Sequence, residues 1–237
     1  MFAASEGGTT VISKKKQVIA IGGRSLVAPY AIERDIIQQT RKERPKVCFL
    51  PQATGEKDEY KVRFYTAFSA LGAHPSDVSL FGMVDPTKVA AQLLSQDIIY
   101  VGGGNTKSML ALWREWGIDD LLLQAYEQGT ILAGVSAGAI CWFEQGITDS
   151  KIPLSTLPCL GILPGACCPH YDSEVERRPY YTRAVGQQAL SGIALEDHTA
   201  AHYIDGQLTR VLSWVPGKKA YMVAPDGHTE LDVELLS

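Results

Sequence analysis

The chain has 237 residues, 46% of them hydrophobic and 20% charged, with a formal net charge of -4 at pH 7. That balance suits a soluble globular protein with a sizeable core and gives no general attraction to nucleic acid or anionic membranes. No apolar run approaches the roughly 18 residues needed to span a bilayer.

Residues 1–16 are rich in Gly, Thr and Ser and end in Lys14-Lys15-Lys16. They lack the charged head and apolar stretch of a secretory leader, so they read as a flexible tail before one domain over residues 17–237. The first strand is Gln17–Ile21, ending in Gly22-Gly23. Further apolar runs follow at Lys46–Leu50, Val78–Phe81 and Asp97–Val101, the last ending in Gly102-Gly103-Gly104. Between them Ala31–Thr40, Glu59–Leu71 and Thr87–Ser95 carry apolar residues at helical spacing, and helices are expected near Lys107–Trp116 and Asp119–Gln128. Continuous apolar strands alternating with helices predict an α/β fold, a mostly parallel sheet sandwiched by helices. After Phe143 the alternation loosens: Thr148–Gly165 reads as loop, a helix is expected from about Pro179 to Leu190, and the tail reads as short C-terminal β segments. Five cysteines without a C-x-x-C pair read as free thiols of a reduced, cytoplasmic protein.

Gly134-Val135-Ser136-Ala137-Gly138 places a serine between glycines, directly after a strand and before a helix. Such a corner exposes the hydroxyl, and the N–H of Ala137 at the helix start points toward any negative charge beside it. The bland alternative is a close strand–helix contact made by small residues. A serine needs a base, and of five histidines His170 is best placed, in Pro169-His170-Tyr171-Asp172 after an apolar segment. His74 and His228 lie in turns. His198 and His202 have a zinc-like i, i+4 spacing, but on β and turn rather than helix, and no metal site is expected. Glu196-Asp197 supplies a carboxylate that can orient an imidazole. Gly102–Ser108 lacks the glycine before lysine that a phosphate loop requires; its N–H groups suit the second half of an oxyanion hole, with Asn105 as a helix cap.

Taken together, Gly102–Thr106, Ala133–Ala139, Pro169–Tyr171 and Leu195-Glu196 resemble peptidase family S51, which includes peptidase E (an α-aspartyl dipeptidase) and cyanophycinase. The order Ser–His–acid supports this over an ordinary α/β-hydrolase esterase, which runs Ser–acid–His. The resemblance implies a class I glutamine amidotransferase-like fold and a serine peptidase cleaving dipeptides with N-terminal Asp. Ser136 is then nucleophile, His170 base and Glu196 third member, with Asp197 in reserve. Ala137 and one of Gly103 or Gly104 supply the N–H groups of the oxyanion hole, and Asn105, Arg177 and Arg178 are substrate-binding candidates. Arg177 and Arg178 open a helix, where an anion would offset their conflict with the dipole; solvated partners of Glu174 and Glu176 are the alternative. No cofactor is implied, the expected partner is a small peptide, and a homodimer is left open. The alternatives are a cyanophycinase-like activity on β-Asp-Arg dipeptides and a non-catalytic ligand-binding module.

Overall fold

The computed structural model describes residues 15–188 and 190–236, so most of the expected tail, residues 1–14, lies outside the described residues. The alternating half comprises β1 (Gln17–Ile21), α1 (Ala31–Gln39), β2 (Lys46–Leu50), α2 (Asp58–Ala70), β3 (His74–Asp77), α3 (Pro86–Leu94), β4 (Ile98–Val101), α4 (Thr106–Trp116), α5 (Ile118–Glu127) and β5 (Ile131–Val135). The short α6 (Ala137–Ile140) then leads to β6 (Phe143–Thr148), β7 (Ser155–Pro158), β8 (Leu163–Cys168), α7 (Arg177–Gln188) and β9 (Gly192–Leu195). The chain closes with β10 (Thr199–Ile204), β11 (Gln207–Ser213), β12 (Ala220–Ala224), β13 (Gly227–Glu230) and β14 (Glu234–Leu235).

Among the described residues these strands make two sheets. The first runs β14-β11-β10-β1-β5-β4-β2-β3, with β1, β5, β4, β2 and β3 parallel and β10 antiparallel to β1. The second runs β13-β12-β9-β8-β6-β7, with β6, β8 and β9 parallel. The expected α/β fold with a mostly parallel sheet between helices is what the first sheet forms. Its strands are continuously apolar because both faces are covered. Ile32, Ile36, Phe64 and Phe68 of α1 and α2 cover one face. Leu93, Leu110, Trp113 and Leu122 of α3, α4 and α5 cover the other, in a core shared with Phe143, Leu163, Ile193 and Ala220 of the second sheet. Tyr181 and Val185 of α7 close the far side of the second sheet.

Two expectations are corrected. The strand beside β2 is His74–Asp77 rather than Val78–Phe81; Val78 and Leu80 are buried anchors in the segment after it, while Phe81 is 68% exposed. The C-terminal β segments are not an appendage: β10, β11 and β14 widen the first sheet, and β9, β12 and β13 build the second. All five cysteines are free thiols, four of them buried. Among the described residues no helix is long and apolar enough to cross a membrane.

Phe49 of β2 stacks on Phe64 at 4.7 Å between ring centroids, and Phe64 meets Phe68 at 4.7 Å. Tyr100 of β4 completes this aromatic cluster edge-on to Phe68 at 5.6 Å and passes its hydroxyl out to Ser25 Oγ at 2.7 Å. The cluster therefore locks α2 to the sheet and reaches the loop after β1. Phe64→Ala leaves a cavity at a fully buried position, and we expect a loss of about 3–5 kcal/mol of stability in urea unfolding with an unchanged denaturant slope.

Candidate active site

Strand β5 ends at Val135 and α6 begins at Ala137, so Ser136 forms a one-residue corner with φ 57° and ψ -109°. For a residue other than glycine, backbone of this kind costs about 1–3 kcal/mol and persists only where its surroundings impose it. Here two close backbone crossings impose it. A Cβ on Gly138 would lie 2.2 Å from the Val101 carbonyl oxygen, and one on Gly134 would lie 2.4 Å from that of Gly138. Only glycine lets α6 rest directly on β4 and β5. The Ser136 N–H donates to the Ile21 carbonyl at 3.0 Å, tying the corner to the end of β1.

The partners of Ser136 come from the other sheet. His170 follows β8 and Asp197 follows β9, two neighbouring parallel strands. His170 Nε2 lies 2.9 Å from Ser136 Oγ, and its Nδ1 lies 2.7 Å from Asp197 Oδ1. Arg24 Nε donates to Asp197 Oδ2 at 3.2 Å. The Asp197 N–H donates to Asp172 Oδ1 at 2.8 Å, and the other oxygen of Asp172 pairs with Lys218. Burial raises the Asp197 carboxyl. Hydrogen bonds from His170, Ser173 and Arg24, with the His170 charge, outweigh that and hold it well below the usual carboxylate range. An ionised acceptor at Nδ1 keeps the ring proton there and leaves the Nε2 lone pair for the serine hydroxyl.

This arrangement corrects the expectation for Glu196. Its carboxylate accepts the Lys219 N–H at 3.0 Å instead, and Asp197 takes the position beside the imidazole. β9 ends at Leu195, and the chain turns at Asp197, with the Thr199 N–H donating to the Glu196 carbonyl at 3.2 Å, so the two neighbouring carboxylates meet different partners.

The sequence model of Peptidase family S51 matches residues 18–211. The chain is 44% identical over 224 residues to "Uncharacterized peptidase YgaJ" of Bacillus subtilis (strain 168), covering 93% of this chain and 97% of that one. It is 28% identical over 181 residues to "Peptidase E" of Pasteurella multocida (strain Pm70), covering 70% and 74%. Among solved structures, a peptidase from an acI-B1 Actinobacterium superposes with a TM-score of 0.74 at 16% identity, covering 93% of this chain and 96% of that one. The chain belongs to peptidase family S51. Its fold is that of this solved peptidase, and the constellation above is the candidate active site of this S51 peptidase.

The remaining expected site residues divide. Gly103 lies against the serine: a Cβ there would come within 3.2 Å of Ser136 Cβ. Among the described residues the N–H groups of Gly103 and Ala137 have no acceptor. Gly104 serves the backbone, since at φ 132° a Cβ would lie 2.2 Å from the Ala53 carbonyl oxygen. Asn105 is a helix cap whose Oδ1 accepts from Ser108 N–H and whose Nδ2 donates to the Ser150 carbonyl, so both ends of its amide serve the fold. Arg177 is corrected outright. It is 2% exposed and spends its guanidinium on the Ile147 carbonyl, Glu174 and Asp149, because the start of α7 is folded onto β6. Arg178 is exposed and lies over the rings of Tyr171 and Tyr221 at 5.6 and 5.3 Å, next to His170. His202 sits in β10 with Nε2 on Gln17 Oε1, and His198 meets Trp214 edge-on, so neither faces Ser136. His228 belongs to the surroundings of the site, bonding the Tyr171 hydroxyl and Thr182.

Sequence reading missed Arg24, Asp172 and Lys218, and its one available signal was Gly22-Gly23. A Cβ on Gly23 would lie 2.0 Å from Asp197 Oδ1 and 2.8 Å from the His170 ring, so this strand end is built around the imidazole. The loop that follows is pinned from below. The Leu26 N–H donates to the carboxylate of Glu33, a residue only 1% exposed, at 2.7 Å. Burial pushes the Glu33 carboxyl up to about 7, against the hydrogen bonds of Leu26 and its own backbone. With a folded value above the unfolded one, near 4.5, the contribution of Glu33 to stability is full below about pH 4.5 and lost as pH rises through about 7. Glu33→Gln removes that dependence. Urea unfolding at pH 5 and pH 8 should show the variant gaining on the parent with rising pH, by on the order of 3 kcal/mol.

Proposed function

We propose that this S51 peptidase is a serine peptidase of very short peptides, working through Ser136, His170 and Asp197. The observation that carries the reading is the unbroken line of hydrogen bonds from Asp197 through His170 to a serine held in a strained corner. His170 takes the Ser136 proton as Oγ attacks the scissile carbonyl. The oxyanion is met by the N–H groups of Gly103 and Ala137, which are otherwise without acceptors among the described residues. Protonated His170, balanced by Asp197, then gives its proton to the departing amine. Water activated by the same imidazole releases the acyl group. A non-catalytic binding module has no use for a serine so poised.

Resemblance to peptidase E supports N-terminal aspartate as the preferred first residue. With Arg177 buried, reading its carboxylate falls to Arg178, exposed beside Tyr171. A fluorophosphonate should label the parent protein and leave Ser136→Ala unlabelled. In dipeptide hydrolysis Asp197→Asn should lower kcat by about 10³-fold or more, and Glu196→Gln should stay within about twofold. Equal losses in the two carboxylate variants would remove Asp197 from its role. Arg178→Met should erase a preference for Asp-Leu over Asn-Leu.

A further inference from the structure

Arg24 is placed and held in a manner that a surface ion pair does not require. Its backbone φ is 60°, in the left-handed region, as are Leu26 at 58° and Tyr30 at 61° in the same loop. The loop is nonetheless fixed on every side: Gly23 accepts from His198 N–H at 3.2 Å, Tyr100 bonds Ser25, and buried Glu33 holds Leu26. The Arg24 side chain is 67% exposed while its partner Asp197 is 7% exposed. Only Nε–H is used, so among the described residues the terminal amino groups of the guanidinium have no acceptor. A guanidinium carries five N–H donors in a planar fork, and an open edge of that fork suits a carboxylate.

The place of this open edge decides which carboxylate. Under the serine-peptidase reading, on which this inference rests, the acyl half of the substrate lies over Ser136 and the departing amine lies at His170 Nε2. A Cβ on Gly23 would lie 2.8 Å from both Cε1 and Nδ1 of the His170 ring, Cε1 being the atom bonded to Nε2, and Arg24 is the next residue, about 3.8 Å further along the Cα trace. The departing residue of a dipeptide carries its free carboxylate only two bonds from that amine. Of the other cations around the site, Lys218 is engaged on Asp172 and Arg177 on the Ile147 carbonyl and Glu174, while Arg178, over Tyr171 and Tyr221, is assigned above to the side chain of the first residue. We propose that Arg24 reads the free C-terminal carboxylate of the departing residue, using one edge of the guanidinium for Asp197 and the other for the substrate. This makes the protein selective for peptides that end one residue after the scissile bond.

The test uses the full chain carrying Ser136→Ala, so that peptides bind without being cleaved, with and without Arg24→Met. Calorimetry compares Asp-Leu, Asn-Leu and Asp-Leu-amide. We expect Asp-Leu to bind at least tenfold tighter than Asp-Leu-amide when Arg24 is present. Arg24→Met should weaken both acids by about that factor and leave the amide unchanged; Arg24→Lys should keep part of the preference. Equal weakening of all three peptides would reduce Arg24 to a support of Asp197, and weakening of the two Asp peptides alone would assign it to the first residue's side chain. Either result, or failure of every peptide to bind, overturns the proposal. Fluorophosphonate labelling of the chain with its native Ser136 is read alongside. If labelling holds while the acid preference is missing, only the role of Arg24 fails; if labelling is also absent, the serine reading fails with it.

Discussion

Everything at the site depends on how closely the end of β1 approaches the loops that follow β8 and β9. Three main-chain bonds seal this seam: Gly22 N–H to the Thr199 carbonyl at 2.8 Å, His170 N–H to Gly22 at 3.3 Å, and His198 N–H to Gly23 at 3.2 Å. A Cβ on Gly22 would lie 2.3 Å from the Glu196 carbonyl oxygen, so no larger residue fits. Ser136 is bonded to the neighbouring Ile21, and the seam therefore brings a serine from one sheet against an imidazole and a carboxylate from the other. A strong hydrogen bond between His170 and Asp197 would be of no use to the serine if the sheets were a residue further apart.

The charges around the seam follow a similar economy. Asp197 and Asp172 are two carboxylates joined through one backbone N–H, and each has its own cation, Arg24 and Lys218. His170 foremost, with Ser173 and Arg24, keeps Asp197 ionised, and Lys218 with the Asp197 N–H does so for Asp172, in a setting where an isolated carboxylate would take up a proton. Arg24 and Lys218 sit far apart in sequence, in turns with no regular pattern, and neither stands out among the 22 Lys and Arg of an acidic chain.

The first sheet was legible because its physics is local. Strands such as Lys46–Leu50 and Ile98–Val101 are continuous apolar runs, the helices between them have one apolar face, and glycines mark the strand ends. β3 escaped because an edge strand needs little apolar surface, and His74-Pro75-Ser76-Asp77 has almost none. In the second sheet β9 and β12 fall in segments that read as β, but β8, Leu163-Pro164-Gly165-Ala166-Cys167-Cys168, escaped because it carries a proline and a glycine that argue against a strand. Ser136 and His170 each had a bland explanation on their own, and it was their combination in the resemblance to peptidase family S51 that singled them out; the fold brings them within 2.9 Å. The choice between Glu196 and Asp197 was not legible, since it turns on where β9 ends relative to the Lys219 N–H. Nor was the fate of Arg177, whose partner carbonyl at Ile147 is 30 residues away and invisible to any spacing rule.

The route of the chain gives the seam another meaning. The polypeptide leaves the first sheet after β5, returns at β10, departs again for β12 and β13, and comes back for β14. The return to β10 passes through Glu196, Asp197 and His198, so the acid beside the imidazole rides on the crossing itself. Neither sheet can therefore be cut free as a fragment that keeps its own strands. Any slippage of one layer over the other must also draw His170 and Asp197 away from Ser136, so the 2.9 Å contact between Ser136 Oγ and His170 Nε2 is a built-in gauge of whether the two layers are docked.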